Sequence, residues 1–137
     1  MKEEDKELLL KDLSARLPYK PIVQIEGCGI WDLRGIDHDD SAELRDRVIV
    51  WHGKNYPSSV NSFPIIECKP FLYPLSSMTE EQKVIYGDYC YEIMHSIAWD
   101  GQFCSNELYE WLNKNYFDYH WLIEKGLAID ATNLNVY

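Results

Sequence analysis

The chain has 137 residues, of which 46% are hydrophobic and 26% are charged, as in a single soluble globular domain; this composition excludes a disordered chain. Its 23 acidic and 13 basic residues give a formal net charge of -10. Because this charge repels phosphate backbones, direct nucleic-acid binding is not expected. The alternative is acidic mimicry, in which carboxylates occupy a basic protein groove that normally holds DNA or RNA.

The cysteines and the N-terminus indicate the compartment and the cofactor chemistry. Cys28, Cys68, Cys90 and Cys104 form no C-x-x-C pair and have no histidine at zinc-ligand spacing, which predicts reduced, buried thiols, no metal and no cofactor. The chain opens with charged residues, unlike a signal segment, and no apolar run has the length of a bilayer span. We therefore expect a cytoplasmic protein that does not contact membranes.

The first predicted element is a helix over residues 3–17. Leu9 or Leu10 is followed by Leu13 and Leu17 at steps of three and four, the spacing of one apolar helix face. Pro18 ends this helix.

Strands are predicted next. Residues 22–26 and 30–34 flank a Gly27-Cys-Gly29 turn, and apolar and polar side chains alternate after the turn, which is typical of a hairpin. Residues 48–51 are apolar and mostly β-branched, and residues 62–68 follow as a further strand. These segments predict a curled antiparallel sheet of four or five strands, similar to a small barrel.

A helical half follows the strands. Thr79 and Gln82 have the spacing of a capping box, in which each side chain bonds to the other residue's backbone N–H at the start of a helix. The apolar stripe of this helix consists of Ile85, Tyr86, Tyr89, Cys90, Ile93, Met94 and Ile97.

Two further helices are predicted. The second of the helical half runs from Ser105 or Asn106 to about Lys114, and Asp118 caps a short third helix that ends at Gly126. The chain is thus expected to form one α+β domain with an N-terminal helix, the sheet and a C-terminal helical pair. Its parts are a helix plus sheet in residues 1–75, a helical half in 76–130 and a loose tail in 131–137.

Two blocks of the sequence resemble a known group of proteins. They are residues 69–81 (KPFLYPLSSMTEE) and residues 111–128 (WLNKNYFDYHWLIEKGLA). Both are similar to a family of small uncharacterised proteins of gut Bacteroidetes genomes and their phages, in which Arg-Gly usually stands where this chain has His120-Trp121. The resemblance implies an origin on mobile or phage DNA and a host-directed role such as interference with a defence system. It implies no catalytic residue.

An acidic cluster is the first candidate for chemistry. Residues 37–43 carry four carboxylates around His38, and hard cations prefer several oxygens brought together. However, Ala42 and Val48 stand where a calcium loop needs a glycine and a glutamate. A solvated loop without a metal is therefore expected.

A thiol–histidine pair is the second candidate. Cys90 or Cys104 beside His95 is the arrangement that nucleophilic catalysis would need. Cys90 belongs to the apolar stripe of its helix, which favours an inert core thiol. We therefore expect no catalytic residue and no enzyme activity.

The strongly aromatic block at residues 111–126 has two alternative interpretations. Rings that face inward would close the sheet against the helices, and rings that face outward would form a partner-binding patch. The patch residues are Tyr116, Tyr119, His120 and Trp121. His120 is expected to act there as a hydrogen-bonding or interface residue and not as a general base.

A second candidate binding region involves Trp31 and Trp51, whose rings are suited to a flat, nucleotide-like ligand. The main hypothesis is a non-enzymatic interaction or regulatory protein that binds an unidentified protein partner. The alternative is a protein that binds or sequesters a small nucleotide-like ligand. The sequence does not predict the oligomeric state.

Overall fold

The computed structural model describes residues 2–38, 46–51, 60–96 and 102–137, and its side chains are described except at positions 38, 46, 51, 60, 92–96 and 102–105. The helices are α1 (Glu3–Arg16), α2 (Glu80–Ser96) and α3 (Gln102–Lys114). The strands are β1 (Ile22–Ile25), β2 (Gly29–His38), β3 (Asp46–Trp51), β4 (Val60–Pro64), β5 (Cys68–Pro74), β6 (Phe117–Asp118) and β7 (Ile129–Asp130). Short 3-10 helices occupy Leu17–Tyr19, Ile65–Glu67 and Leu75–Ser77.

The strands of the described ranges form one open sheet in the order β4-β3-β2-β1-β5-β6, and β7 also pairs with β5. The long strands pair antiparallel, as predicted, whereas β6 and β7 each pair with β5 in parallel. The α+β class is therefore confirmed, but the prediction of a barrel-like sheet with four or five strands is wrong. Two-residue strands carry no alternation that a sequence pattern can reveal, and only tertiary contacts bring them to β5.

The main core lies between α1 and one face of the sheet. Leu9 and Leu13 of α1 are fully buried, as are the inward side chains Val23 and Ile25 of β1. Alternate residues of a strand point to the same face, so β2 and β3 add their own alternating apolar positions to this layer. The remaining buried members include Leu33, Val48, Val50, Leu72, Leu122 and Leu127.

The helical pair α2 and α3 is present as predicted, and a smaller apolar cluster holds it to the sheet edge. The capping box forms, because Gln82 N–H donates to Thr79 Oγ1 at 3.1 Å and Thr79 N–H donates to Gln82 Oε1 at 2.9 Å. Ile85, however, is 40% exposed, so it does not belong to a buried stripe. The cluster is formed by Met78, Leu108, Leu112 and Phe117.

The short third helix predicted between Asp118 and Gly126 does not form, and residues 122–126 are a turn. Its start and stop signals are both present: the Asp118 carboxylate accepts the N–H groups of Leu122 and Ile123, each at 2.9 Å, and Gly126 has a φ of 74°. Trp121 has a φ of 59°, a left-handed conformation that a helix cannot contain, so only a turn fits between the two signals.

Residues 131–137, expected to be a loose tail, instead lie against the sheet. Ala131 N–H donates to the carbonyl of Leu72 at 2.8 Å. At the end of the chain, the hydroxyl of Tyr137 donates to the carbonyl of Phe71 at 2.9 Å, and its ring stacks on Tyr116 with centroids 3.8 Å apart. Within the described ranges, no helix combines the length and the apolarity needed to cross a membrane.

Candidate functional site

A cavity of about 690 Å³ lies between α1, α3 and the segment that follows α3. We call it the α1–α3 cavity. Its polar lining residues are Lys11, Asn113 and His120, and its aliphatic lining residues are Ala15, Leu75, Leu108 and Leu112. Four aromatic rings complete its described walls: Tyr86, Tyr109, Tyr119 and Trp121.

Helix periodicity places two walls of this cavity. On α3, Leu108 and Leu112 are four residues apart and Asn113 follows directly, so all three lie on one side of the helix. On α1, Lys11 and Ala15 are likewise four residues apart and form the opposite wall. The 119–121 segment closes the space between the two helices.

A buried ion pair stands behind the α1 wall. Asp12 and Arg16 are both fully buried, and the Arg16 guanidinium donates from Nε to Asp12 Oδ2 at 2.8 Å and from Nη2 to Asp12 Oδ1 at 3.0 Å. Nη2 also donates to the carbonyl of Phe117, which connects α1 to β6. The two-point geometry is the arrangement that makes arginine–carboxylate pairs strong.

His120 is attached to the same carboxylate, with its Nδ1 atom 2.8 Å from Asp12 Oδ1. Burial alone would raise the pKa of Asp12, but the hydrogen bond from His120 and the Arg16 guanidinium together hold that pKa below its ordinary value. Asp12 is therefore a carboxylate that only accepts hydrogen bonds, so Nδ1 of His120 carries a proton. The other ring nitrogen, Nε2, is the one left for a ligand in the cavity.

Tyr119 is held in place by its neighbours. Its hydroxyl donates to Asn113 Oδ1 at 2.7 Å, and the guanidinium carbon of Arg16 lies 5.2 Å from the centre of its ring. Burial raises the pKa of Tyr119, so the phenol stays neutral at physiological pH. The Nη1 group of Arg16 is buried and has no hydrogen-bond partner among the described residues. The Tyr119 ring offers the guanidinium a cation–π contact.

The structure brings together three of the four residues predicted to form a partner-binding patch. Tyr119, His120 and Trp121 all line the α1–α3 cavity, and Trp121 is 55% exposed. Tyr116 lies apart from them, half-buried, with its hydroxyl donating to the carbonyl of Tyr19. The block is therefore neither wholly core nor wholly surface, since its middle forms the wall of a cavity.

Sequence reasoning missed Asp12 and Arg16, although a signal was present. Leu9, Asp12, Leu13 and Arg16 follow the steps of three and four that define one helix face. A pair of opposite charges at the fourth-residue spacing on the buried face of a helix indicates an internal ion pair. Its contact with His120 joins residues 108 positions apart, which no local pattern contains.

The other predicted region, around Trp31 and Trp51, differs from the open site that a flat ligand would need. Trp31 is only 7% exposed, its indole N–H donates to the carbonyl of Cys28 at 2.9 Å, and its ring meets Phe63 edge-on with centroids 5.7 Å apart. The side chain of Trp51 lies outside the described residues. Ligand binding at this pair stays a prediction.

The cysteines differ in environment. Cys68 is buried, and burial raises its pKa to about 12, which makes its thiol inert at physiological pH. Cys28 is exposed, so the expectation of buried thiols is wrong for it. The side chains of His95 and Cys104 and most of the 37–43 cluster fall outside the described residues. Among the described residues, no group of three metal-ligating side chains comes together.

A second, shallower feature runs between α2 and α3. Two recesses of about 350 Å³ each share Tyr89 and Glu107, and we call them the α2–α3 groove. Carboxylates stand beside apolar side chains along this groove. Its other lining residues are Tyr19, Ile85, Asp88, Glu110, Trp111 and one lysine, Lys114.

Comparison with known proteins identifies no relative of this chain. No protein family, no curated protein and no solved structure matches it. The resemblance to the Bacteroidetes and phage family therefore stays a prediction, and function is inferred from the chain's own residues.

Proposed function

We propose that the protein is a non-catalytic binding protein and that its site is the α1–α3 cavity. The observation that carries this proposal is the cavity itself. Its volume of about 690 Å³ falls in the range of roughly 300–1,000 Å³ that small-molecule sites occupy. Its walls are mainly apolar and aromatic with a few polar groups, as such sites usually are.

The hydrogen bonds around the cavity support binding because they hold its walls before a ligand arrives. The Asp12 carboxylate orients His120, and Asn113 orients Tyr119. A site that is already ordered loses less conformational entropy on binding. A flat ring that stacks against Trp121 and Tyr109 is the ligand shape that these walls favour.

The composition of the wall also favours binding over covalent catalysis. Among the described lining residues there is no cysteine, serine or threonine that His120 would activate. A cytoplasmic setting, and the host-directed role that the phage resemblance implies, belong to this proposal as expectations and add no residue to the site.

The test is a thermal-shift screen of purine, pyrimidine and other aromatic metabolites, with Ala15→Trp as the blocking variant. Ala15 lines the cavity and is exposed, so an indole at this position should fill the space. Ser14→Trp is the matched control, because Ser14 is also exposed on α1 but does not line the cavity.

We expect at least one compound to raise the melting temperature of the wild type and of Ser14→Trp but not that of Ala15→Trp. Ligand-induced shifts of equal size in both variants would show that binding occurs elsewhere. The absence of any shift across the panel would remove the small-ligand proposal.

A protein partner on the α2–α3 groove is a second candidate function. The specific observation is that Ile85, which lines the groove with Asp88 and Glu107, is 40% exposed. Val84 and Tyr91 are 64% and 63% exposed and lie four residues before and three residues after Asp88, on the same face of α2. Apolar groups within a rim of negative charge are complementary to a basic, amphipathic segment of another protein. We propose such a segment as the partner.

This candidate is tested by titrating the chain with an amphipathic Lys/Leu helical peptide. Replacing Asp88 and Glu107 by lysine should abolish binding, whereas Glu26→Lys with Glu124→Lys makes the same change in net charge at exposed positions outside the groove. An equal loss in both double variants would indicate unspecific attraction to the acidic chain and would contradict a docking site.

A further inference from the structure

We infer that the ligand of the α1–α3 cavity is an anion: an apolar or aromatic body that carries a carboxylate or a similar acidic group. This inference rests on the proposed function and adds the chemical class of the ligand. It follows from the charges that line the cavity, from their position on one wall and from the polar groups beside them.

The charge of the cavity is opposite to that of the chain. The protein has 23 acidic residues, yet the described lining residues include no aspartate or glutamate. The titratable side chains of the wall other than tyrosine are Lys11 and His120. The net charge of the chain therefore repels an anion, whereas the described walls of this cavity do not.

The Asp12 carboxylate does not cancel the positive charge of the cavity lining. Asp12 lies behind His120 and is fully buried, and its negative charge is matched by the two hydrogen bonds from Arg16. The pair is neutral overall. Lys11 lines the cavity and has no ion-pair partner within the described part of the chain, so it contributes a positive charge there. His120 contributes a ring whose Nδ1 is hydrogen-bonded to Asp12.

The positions of these groups imply an orientation for the ligand. Lys11 belongs to α1, and His120 is hydrogen-bonded to α1 through the adjacent residue, Asp12, so both groups lie at the α1 wall. Leu108 and Leu112 form the α3 wall. The acidic group is expected at α1, with the apolar body against α3.

Asn113 offers a further hydrogen-bond donor, on the α3 side of the cavity. Its Oδ1 atom accepts the hydroxyl proton of Tyr119, so the polar group of Asn113 that remains is its NH₂. An anionic acceptor makes stronger hydrogen bonds to such donors than a neutral acceptor does. A neutral ligand of the same shape should therefore bind less tightly.

The experiment compares 2-naphthoate with 2-naphthamide, two probes of nearly the same shape that differ in charge. Each is titrated into the full chain by calorimetry. We expect the naphthoate to bind about tenfold more tightly, a factor that corresponds to about 1.4 kcal/mol. Lys11→Gln should weaken naphthoate binding severalfold and leave naphthamide binding unchanged.

Lys69→Gln is the matched control, since it removes the same charge from an exposed residue of β5 that does not line the cavity. Lys11 is exposed, so its substitution is not expected to affect folding. Equal affinities for the two probes, or equal effects of Lys11→Gln and Lys69→Gln, would contradict the preference for an anion. Neither result would contradict binding in the α1–α3 cavity. Binding of neither probe, or binding that Ala15→Trp does not reduce, would count against both the anion preference and the proposed site.

Discussion

At the scale of single residues, the main feature is the buried pair of Asp12 and Arg16 beneath the candidate site. Isolated charges are costly inside a protein, and they persist here because each partner satisfies the other at 2.8 and 3.0 Å. The same carboxylate holds His120 in the cavity wall. One carboxylate therefore serves both the stability of α1 and the geometry of the site.

Removing the Asp12 carboxylate should strongly destabilise the fold. Asp12→Asn leaves the Arg16 guanidinium buried without its counter-charge, and we expect a loss of about 3–5 kcal/mol in the free energy of unfolding. Chemical denaturation followed by circular dichroism measures this loss. Glu7→Gln, at an exposed position of the same helix, should change it by no more than about 0.5 kcal/mol. A loss below about 1 kcal/mol for Asp12→Asn would show that the pair is not formed as described.

The lowered pKa of Asp12 predicts how stability depends on pH. A carboxyl group whose folded-state pKa lies below its unfolded value of 3.8 stabilises the fold at higher pH. That stabilisation is lost as the pH falls through the lower, folded-state pKa. The difference in unfolding free energy between wild type and Asp12→Asn should therefore stay constant from neutral pH to about 4 and shrink below it. A difference that stays the same from neutral pH down to about pH 2 would show that folding does not lower the pKa of Asp12.

At the scale of elements, local capping determines where segments begin and end. Thr79 and Gln82 satisfy each other's backbone N–H groups at the start of α2. Asp118 accepts two backbone N–H groups at the start of the turn that carries Trp121. These caps are local in sequence, which is why both starts were predicted. The helix predicted after Asp118 does not form, because Trp121 has a left-handed φ of 59°.

Loss of the capping box at the start of α2 should lower the stability of the fold moderately. Thr79→Ala removes the hydroxyl that accepts the N–H of Gln82, and we expect a loss of about 1 kcal/mol in the free energy of unfolding. Thermal or urea unfolding measures it. Ser76→Ala, three residues earlier at an exposed position, is the control and should have little effect. Equal stability of the two variants would mean that the capping box contributes nothing.

At the scale of the whole molecule, the side chain of Tyr137 links strands β1 and β5 to the segment that follows α3. The N–H of Ile22 in β1 donates to the hydroxyl of Tyr137 at 3.0 Å, and that hydroxyl donates to the carbonyl of Phe71 in β5 at 2.9 Å. The ring of Tyr137 stacks on Tyr116, which follows α3. One terminal side chain thus links two strands and the segment that leads to the candidate site.

This bridge is tested with Tyr137→Phe, which keeps the ring and removes the hydroxyl. We expect a loss of about 1–3 kcal/mol in the free energy of unfolding, because the backbone groups of Ile22 and Phe71 each lose a hydrogen-bond partner. Tyr109→Phe, at a tyrosine that is 49% exposed, should change it by less than about 0.5 kcal/mol. Similar stabilities for the two variants would mean that the tail does not hold the sheet.

The sequence by itself determined the features that depend on neighbours along the chain. The helix start at Thr79 follows from side chain–backbone bonds that span three residues. The stop at Gly126 follows from a glycine with a left-handed φ of 74° and local backbone bonds. The hairpin of β1 and β2 follows from alternation around a glycine turn. The helices α1 and α2, the hairpin and the mixed α+β class were predictable for this reason. The strand predicted at residues 62–68 is wrong, because the 3-10 helix Ile65–Glu67 separates β4 from β5 there.

Only the tertiary structure decided the strands β6 and β7, the course of the tail and the candidate site. Phe117 and Ile129 pair with β5 across long stretches of chain, and His120 reaches Asp12 at the opposite end of the sequence. Such contacts are selected by the packing of the whole core and leave no periodic pattern along the chain. The sequence therefore identified the aromatic residues, and their arrangement around a cavity with a positive wall came from the way α1, α3 and the sheet pack together.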